Sequence, residues 1–94
     1  MNENNILISI VIIGFNSRDS LEKLLFSLSQ ARGLANIYEI IYVDDGSKDG
    51  SIEKFISFSF PFNKKHFKFQ KNMGRVFATQ KGLEMASGNW VLLL

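Results

Sequence analysis

The 94-residue chain has no cysteine and only one proline, one tryptophan and one histidine. Without cysteine it can build neither a disulfide framework nor a thiolate zinc site, and its composition suits a reducing cytosol. Excess charge of one sign is also missing. The formal net charge is +2, and the lysines between Lys23 and Lys81 alternate with acidic residues, so no basic stripe marks the chain for nucleic acid. Long apolar runs are absent as well: Ile6 to Phe15 falls short of the ~20 residues that a transmembrane helix needs. Nor is that run a secretory leader, because Met1-Asn2-Glu3-Asn4-Asn5 before it carries no Lys or Arg and no small-residue cleavage site follows. There is no internal repeat and no low-complexity linker.

What is present suits one small domain. Hydrophobic residues make up 46% of the chain, with nine Phe, and the 21% of charged residues are of mixed sign, which supports a packed interior and argues against a disordered tail. Ile6 to Ile13 is almost continuously apolar and β-branched and closes on Gly14, the pattern of a strand covered on both faces. Ser17 and Asp19 offer N-caps, Glu22 stands three residues after Asp19, and Leu21, Leu24, Leu25 and Leu28 form one helical stripe that fades near Gly33. Tyr38 to Val43 is a second strand, stopped by Asp44-Asp45-Gly46-Ser47. Asp49 or Ser51 caps a short helix through Ile52, Phe55 and Ile56, which Pro61 ends, leaving Phe58 to Asn63 as a loop. His66 to Gln70 alternates with period two, as an edge strand does, and Lys64 and Lys65 before it read as a solvated basic face. A third helix runs from about Arg75 to Ala86, with Ala78, Gly82 and Met85 on one small-residue face and Asn72 as its cap. Trp90 to Leu94 reads as a fourth buried strand, with Trp90 in a packing role. The sum is an α/β chain with an open, mostly parallel, Rossmann-like sheet and right-handed crossovers.

In such a sheet ligands bind beyond the carboxyl ends of the strands, so Gly14-Phe15-Asn16 and Asp44-Asp45-Gly46-Ser47 share one crevice. Glycine lets a ligand approach the backbone, Phe15 offers a stacking face, and a carboxylate accepts from a base N–H or a ribose hydroxyl. These are the parts of a nucleoside pocket. Two other classes fit less well. A phosphoacceptor signalling domain would carry its acids after strand one and an Asp after strand three, where Lys71-Asn72 stands here. A dinucleotide oxidoreductase would need G-x-G-x-x-G where this chain has Gly14-Phe15-Asn16-Ser17.

Three ordered blocks carry a family resemblance. Ile8 to Asn16, Tyr38 to Gly50 with its Val-Asp-Asp-Gly-Ser-x-Asp-Gly stretch, and Asn72-Met73-Gly74 continuing to Gly88 are similar to successive blocks of family-two glycosyltransferases. The resemblance covers essentially the whole chain. It implies the N-terminal, nucleotide-binding half of a GT-A fold, so that residues 1–94 would form an incomplete glycosyltransferase domain. It further implies a nucleotide-diphospho-sugar donor contacted by Ile13, Gly14, Phe15, Asn16, Asp44, Asp45, Ser47, Gly74 and Arg75. Asp45 would meet the base and Asp44 assist or brace the loop. The sequence departs from the family in Phe15, where Tyr is usual, and in Ile13-Gly14, where Pro-Thr is commoner. The family's Asp-x-Asp, which holds Mn²⁺ or Mg²⁺ on the diphosphate, and its catalytic base would both lie beyond Leu94. Neither the metal nor the chemistry, an inverting displacement onto an acceptor hydroxyl, would then belong to these residues. The acceptor, whether saccharide, lipid or protein, is unread. The implied location is the cytoplasm or the cytoplasmic face of a membrane, and the open apolar strand edge would favour self-association.

Overall fold

The computed structural model describes residues 6–30 and 36–94. Strands β1 (Ile8–Gly14), β2 (Ile37–Asp44), β3 (Asn63–Lys68) and β4 (Trp90–Leu93) form one sheet in the order β3-β2-β1-β4, and every neighbouring pair is parallel. Helices α1 (Arg18–Gln30), α2 (Ser51–Ser57) and α3 (Arg75–Met85) connect successive strands. This is the alternating α/β, Rossmann-like order that the hydrophobic periodicity predicts.

Both parities of the central strands are apolar because both faces of the sheet are covered. On one face Ile10, Ile12, Ile40 and Tyr42 pack with Leu21 and Leu25 of α1 and with Ile52 and Phe55 of α2. On the other, Val11, Ile41 and Val43 pack with Ala78 of α3. α3 can lie this close because Gly82 has no side chain; a Cβ there would run into Val11 Cγ1. Full burial of one such aliphatic residue, for example Leu25, contributes about 1.5–3 kcal/mol. With α1 and α2 on one face and α3 on the other, the winding reverses between β1 and β4, which places the topological switch point beside the end of β1.

The structure corrects several local expectations. β3 runs from Asn63 to Lys68 and not from His66 to Gln70, because its pairing with β2 begins at Glu39↔Asn63 and ends at Asp44↔Lys68. The segment before it is the expected loop up to Phe62, with only Asn63 taken into β3; Phe58, Phe60 and Phe62 pack against the α1/α2 core, their rings tilted on one another with centroids 4.9 Å and 6.3 Å apart. Lys64 and Lys65 do not make a solvated basic face, because adjacent strand residues point to opposite faces and each finds acceptors there. Lys64 Nζ donates to the carbonyls of Phe55, Ile56 and Phe58 at 3.3, 2.8 and 2.5 Å and so caps the carboxyl end of α2. Lys65 Nζ pairs with Glu39 Oε1 at 2.9 Å and donates to Met85 O and Ser87 Oγ.

Glu39 is fully buried near the start of β2 and is the hub of a polar cluster at the amino edge of the sheet. Besides Lys65 it accepts from Ser9 Oγ at 2.6 Å and from the Ser87 amide at 2.7 Å, while Ser9 Oγ accepts from the Gly88 amide at 2.8 Å. Burial opposes ionisation of Glu39, but the bonds from Ser9, Ser87 and Lys65 outweigh it and hold the carboxyl below its ordinary range. The cluster fastens the α3–β4 turn to β1 and β2.

β4 is not a buried strand. Among the described residues it pairs only with β1, α3 packs over β1 and β2, and Trp90 to Leu94 remain 42–62% exposed. Trp90, expected in a packing role, is the most exposed of them at 62%. The predicted end of α1 near Gly33 lies outside the described residues.

Candidate functional site

Parallel pairing brings the carboxyl ends of the strands to one edge, and the register aligns Gly14 with Asp44 and Asp44 with Lys68. The loops after β1, β2 and β3 therefore leave the sheet side by side. Hydrogen bonds between them, and not only their proximity, give this edge a defined shape.

The first two loops are joined at four points. Gly14 O accepts from the Asp45 amide at 2.8 Å. The Asn16 amide donates to Ser47 Oγ at 2.7 Å, Asn16 Oδ1 accepts from the Lys48 amide at 2.9 Å, and Asp49 Oδ2 accepts from the Arg18 amide at 3.0 Å. Asn16 adopts φ 48°, a left-handed conformation that asparagine tolerates better than most residues. The cap of α1 thus comes from another loop. Ser17 occupies the N-cap position, its carbonyl accepting from Leu21, but its hydroxyl donates back to Phe15 O. Asp19 lies inside the first turn. Asp49 also accepts from the Ser51 amide and Ser51 Oγ at the start of α2. The Ser51 hydroxyl, together with the amides of Arg18 and Ser51, keeps the Asp49 carboxyl below its ordinary range.

The second and third loops are joined by Asp45 and Gly46. Asp45 Oδ1 accepts from the Met73 amide at 2.7 Å and Oδ2 from the Gly74 amide at 3.1 Å. Gly46 has φ 85°, and a Cβ on it would stand 2.5 Å from the Lys71 carbonyl carbon, so only glycine fits there. Asn72 therefore belongs to this backbone contact and not to the helix cap. The N-cap of α3 is Gly74, which makes no side-chain cap bond.

Asp44 is buried and points the other way. Its Oδ1 accepts from Tyr42 Oη at 2.7 Å and its Oδ2 from the Ser47 amide at 2.8 Å, which closes the Asp-Asp-Gly-Ser turn. Burial and the neighbouring Asp44 carboxylate push the Tyr42 phenol well above its ordinary range, so it stays a proton donor.

Of the residues predicted for the site, Gly14, Asn16, Asp44, Asp45, Ser47 and Gly74 are thus linked by hydrogen bonds into adjoining parts of one edge. Phe15 stands between Gly14 and Asn16 and is 46% exposed. Arg75, exposed at the first turn of α3, adjoins Gly74. Ile13 is turned inward, half-buried against the α3-side core. Sequence reasoning missed Tyr42 and Met73 and assigned Asp49 only to α2. Tyr42 had a usable signal: it lies two residues before Asp44, and that spacing on a strand puts both side chains on one face.

A cleft of about 220 Å³ opens at the switch point, lined by Ile13, Gly14, Ser17, Ser20, Tyr42 and Leu94 among others. It is smaller than the ~300–1,000 Å³ of common small-molecule pockets, so a ligand as large as a nucleotide would extend along the loops. Among the described residues no three acidic or histidine side chains converge as a metal would require. Asp44 and Asp45 are also engaged internally. Asp44 is fully buried and offers no accessible carboxylate for phosphorylation, whereas Asp45 keeps a small exposed fraction, 4%. No helix among the described residues is long and apolar enough to cross a membrane.

Comparison with known proteins agrees with this architecture. The chain is 36% identical over 98 residues to the undecaprenyl-phosphate 4-deoxy-4-formamido-L-arabinose transferase of Aeromonas hydrophila, covering 100% of this chain and 30% of that protein. It is 34% identical over 82 residues to the dolichol-phosphate mannosyltransferase of Pyrococcus furiosus, covering 87% and 23% respectively. It is 33% identical over 85 residues to the cholesterol galactosyltransferase of Borreliella burgdorferi, covering 90% and 23%. The chain therefore spans about a quarter of the length of the curated relatives it matches. The sequence model for glycosyl transferase family 2 matches residues 9–94, from the second residue of β1 to Leu94. Given this match, the parallel sheet and the loops joined at its carboxyl edge, the chain belongs to glycosyl transferase family 2.

Proposed function

We propose that this chain is the donor-nucleoside portion of an enzyme that transfers a sugar from a nucleoside-diphosphate sugar to an acceptor hydroxyl with inversion. The observation that carries the reading is the convergence of the loops after β1, β2 and β3, where exposed Phe15 and Arg75 flank a rigid edge built on Asp44 and Asp45. Phe15 would stack on the base. Asp45 holds the Met73 and Gly74 amides, and since a carboxylate has about four lone-pair sites, it retains capacity for a base N–H. Arg75 would meet the diphosphate, for which a guanidinium fork suits phosphate oxygens.

The divalent cation that would neutralise the diphosphate, Mn²⁺ or Mg²⁺, and the base that would deprotonate the acceptor are assigned to other parts of the protein. The chain alone would bind the donor weakly or not at all and would not transfer. Three relatives carry cholesterol, undecaprenyl phosphate or dolichol phosphate in their names, so a lipid at a membrane face, accepting through a hydroxyl or, in a lipid phosphate, through a phosphate oxygen, is the first acceptor class to test. Calorimetric titration of the protein at its natural length with UDP or GDP and Mn²⁺ should show binding that Phe15→Ala and Asp45→Ala each weaken about tenfold, the loss expected for one stacking or charged hydrogen-bond contact. Unchanged affinity in both variants would remove the assignment.

A further inference from the structure

Gly14 is shaped by the protein interior as much as by any ligand. A Cβ on Gly14 would lie 2.6 Å from Tyr42 Oη and 3.0 Å from Cε1, so the Tyr42 ring already fills the space beside the end of β1. The ring is fully buried, stacked on Phe55 with centroids 5.4 Å apart, and its hydroxyl reaches the carboxylate of Asp44.

From that hydroxyl an unbroken series of hydrogen bonds leads outward. Tyr42 Oη donates to Asp44 Oδ1, Asp44 Oδ2 accepts from the Ser47 amide, Ser47 Oγ accepts from the Asn16 amide, and Asn16 Oδ1 accepts from the Lys48 amide. The series starts in the core, crosses at Asn16 into the loop that displays Phe15 and returns to the 44–48 turn at Lys48. We propose that Tyr42 is a positioning residue for the nucleoside site: its phenol orients Asp44 and, through it, the 44–48 turn and the Phe15-Asn16 segment. The proposal rests on the donor-nucleoside reading above. Asp44 is inaccessible to water, so no solvent molecule replaces the phenol when it is removed, and the constraint on the turn is lost with it.

Tyr42→Phe removes the hydroxyl and keeps the stacked ring. Amide hydrogen exchange of the protein at its natural length should then accelerate about tenfold at Asn16, Ser47 and Lys48, the equivalent of one buried hydrogen bond. Exchange at Ile41 and Val43 in the middle of β2 should change much less. Gly14→Ala, which removes no hydrogen-bonding group but drives the phenol off Asp44, should accelerate the same three amides and serves if Tyr42→Phe folds poorly. In both variants, no acceleration overturns the proposal; so does equal acceleration throughout β2, which would make Tyr42 a core residue only. Titration with UDP and GDP in the presence of Mn²⁺ separates the two readings. If the unsubstituted protein binds neither, the donor-nucleoside reading fails while exchange still decides whether Tyr42 holds the turn. If it binds and Tyr42→Phe leaves affinity intact despite faster exchange, the positioning role in binding is refuted. A tenfold weaker affinity together with selective exchange supports it.

Discussion

Replacing Glu39 by Gln perturbs the polar cluster at the amino edge of the sheet without changing side-chain volume. In the native chain the buried carboxylate receives the Ser9 hydroxyl, the Ser87 amide and the Lys65 ammonium at 2.6, 2.7 and 2.9 Å. Glutamine keeps one acceptor oxygen and turns the other position into an NH₂ that faces donors. A hydrogen bond to a charged group contributes about 1.5–3 kcal/mol. Removing one partner of a fully buried pair costs about 3–5 kcal/mol, but Lys65 is 37% exposed and can turn partly to water. A loss of about 2–3 kcal/mol at neutral pH is therefore expected, a large share of the ~5–15 kcal/mol typical of a domain. The pH dependence follows from linkage. The folded-state pKa of Glu39 lies below the ordinary carboxyl range, so the stabilisation from ionisation is complete above that range and is lost as pH falls through the folded-state pKa. Urea unfolding followed by far-UV circular dichroism should show the gap between the native chain and Glu39→Gln fully open at pH 7 and closing below about pH 4.5. A gap that stays constant into acid, or no gap at pH 7, would refute the claim that an ionised Glu39 holds the cluster together.

Two further substitutions test the packing that supports the loops. Gly82→Ala should destabilise the chain by about 1–3 kcal/mol through overpacking against Val11, a penalty that a double variant with Val11→Ala should largely relieve; an equal loss in both backgrounds would show that the contact is not the cause. Lys64→Met should cost about 0.5–1.5 kcal/mol by uncapping α2. The loss should appear in thermal melts and as faster exchange of the α2 amides, whereas unchanged exchange there would mean that the ammonium is better solvated than bound.

Much of the architecture was legible in the residues themselves. Ile8–Gly14 and Ile37–Asp44 were recognisable because a strand covered on both faces is apolar at every position. Leu21, Leu24, Leu25 and Leu28 showed α1 through their spacing alone, and Ala78 with Gly82 showed which side of α3 meets the sheet. Asp44 to Ser47 could be placed at the carboxyl edge, beside the loop after β1, because strands of a parallel sheet end together. Less was legible where partners are distant in sequence. Lys64 and Lys65 looked like any surface pair, since nothing local says that α2 carbonyls wait on one side of β3 and Glu39 on the other. β4 looked buried because its composition matches β1, yet exposure depends on which elements pack over a strand, and α3 lies over β1 and β2.

By itself, then, the sequence determined the order of strands and helices, the parallel α/β class and which loops gather at the carboxyl edge of the sheet, because hydrophobic period and turn chemistry are local properties. Only the tertiary structure decided how those loops are held: that Asp49 caps α1, that Asp45 latches the amides of Met73 and Gly74, and that Tyr42 stands where a side chain on residue 14 would be. These contacts join residues about 30 positions apart, and they exist only once the parallel register has brought the ends of β1, β2 and β3 to one edge.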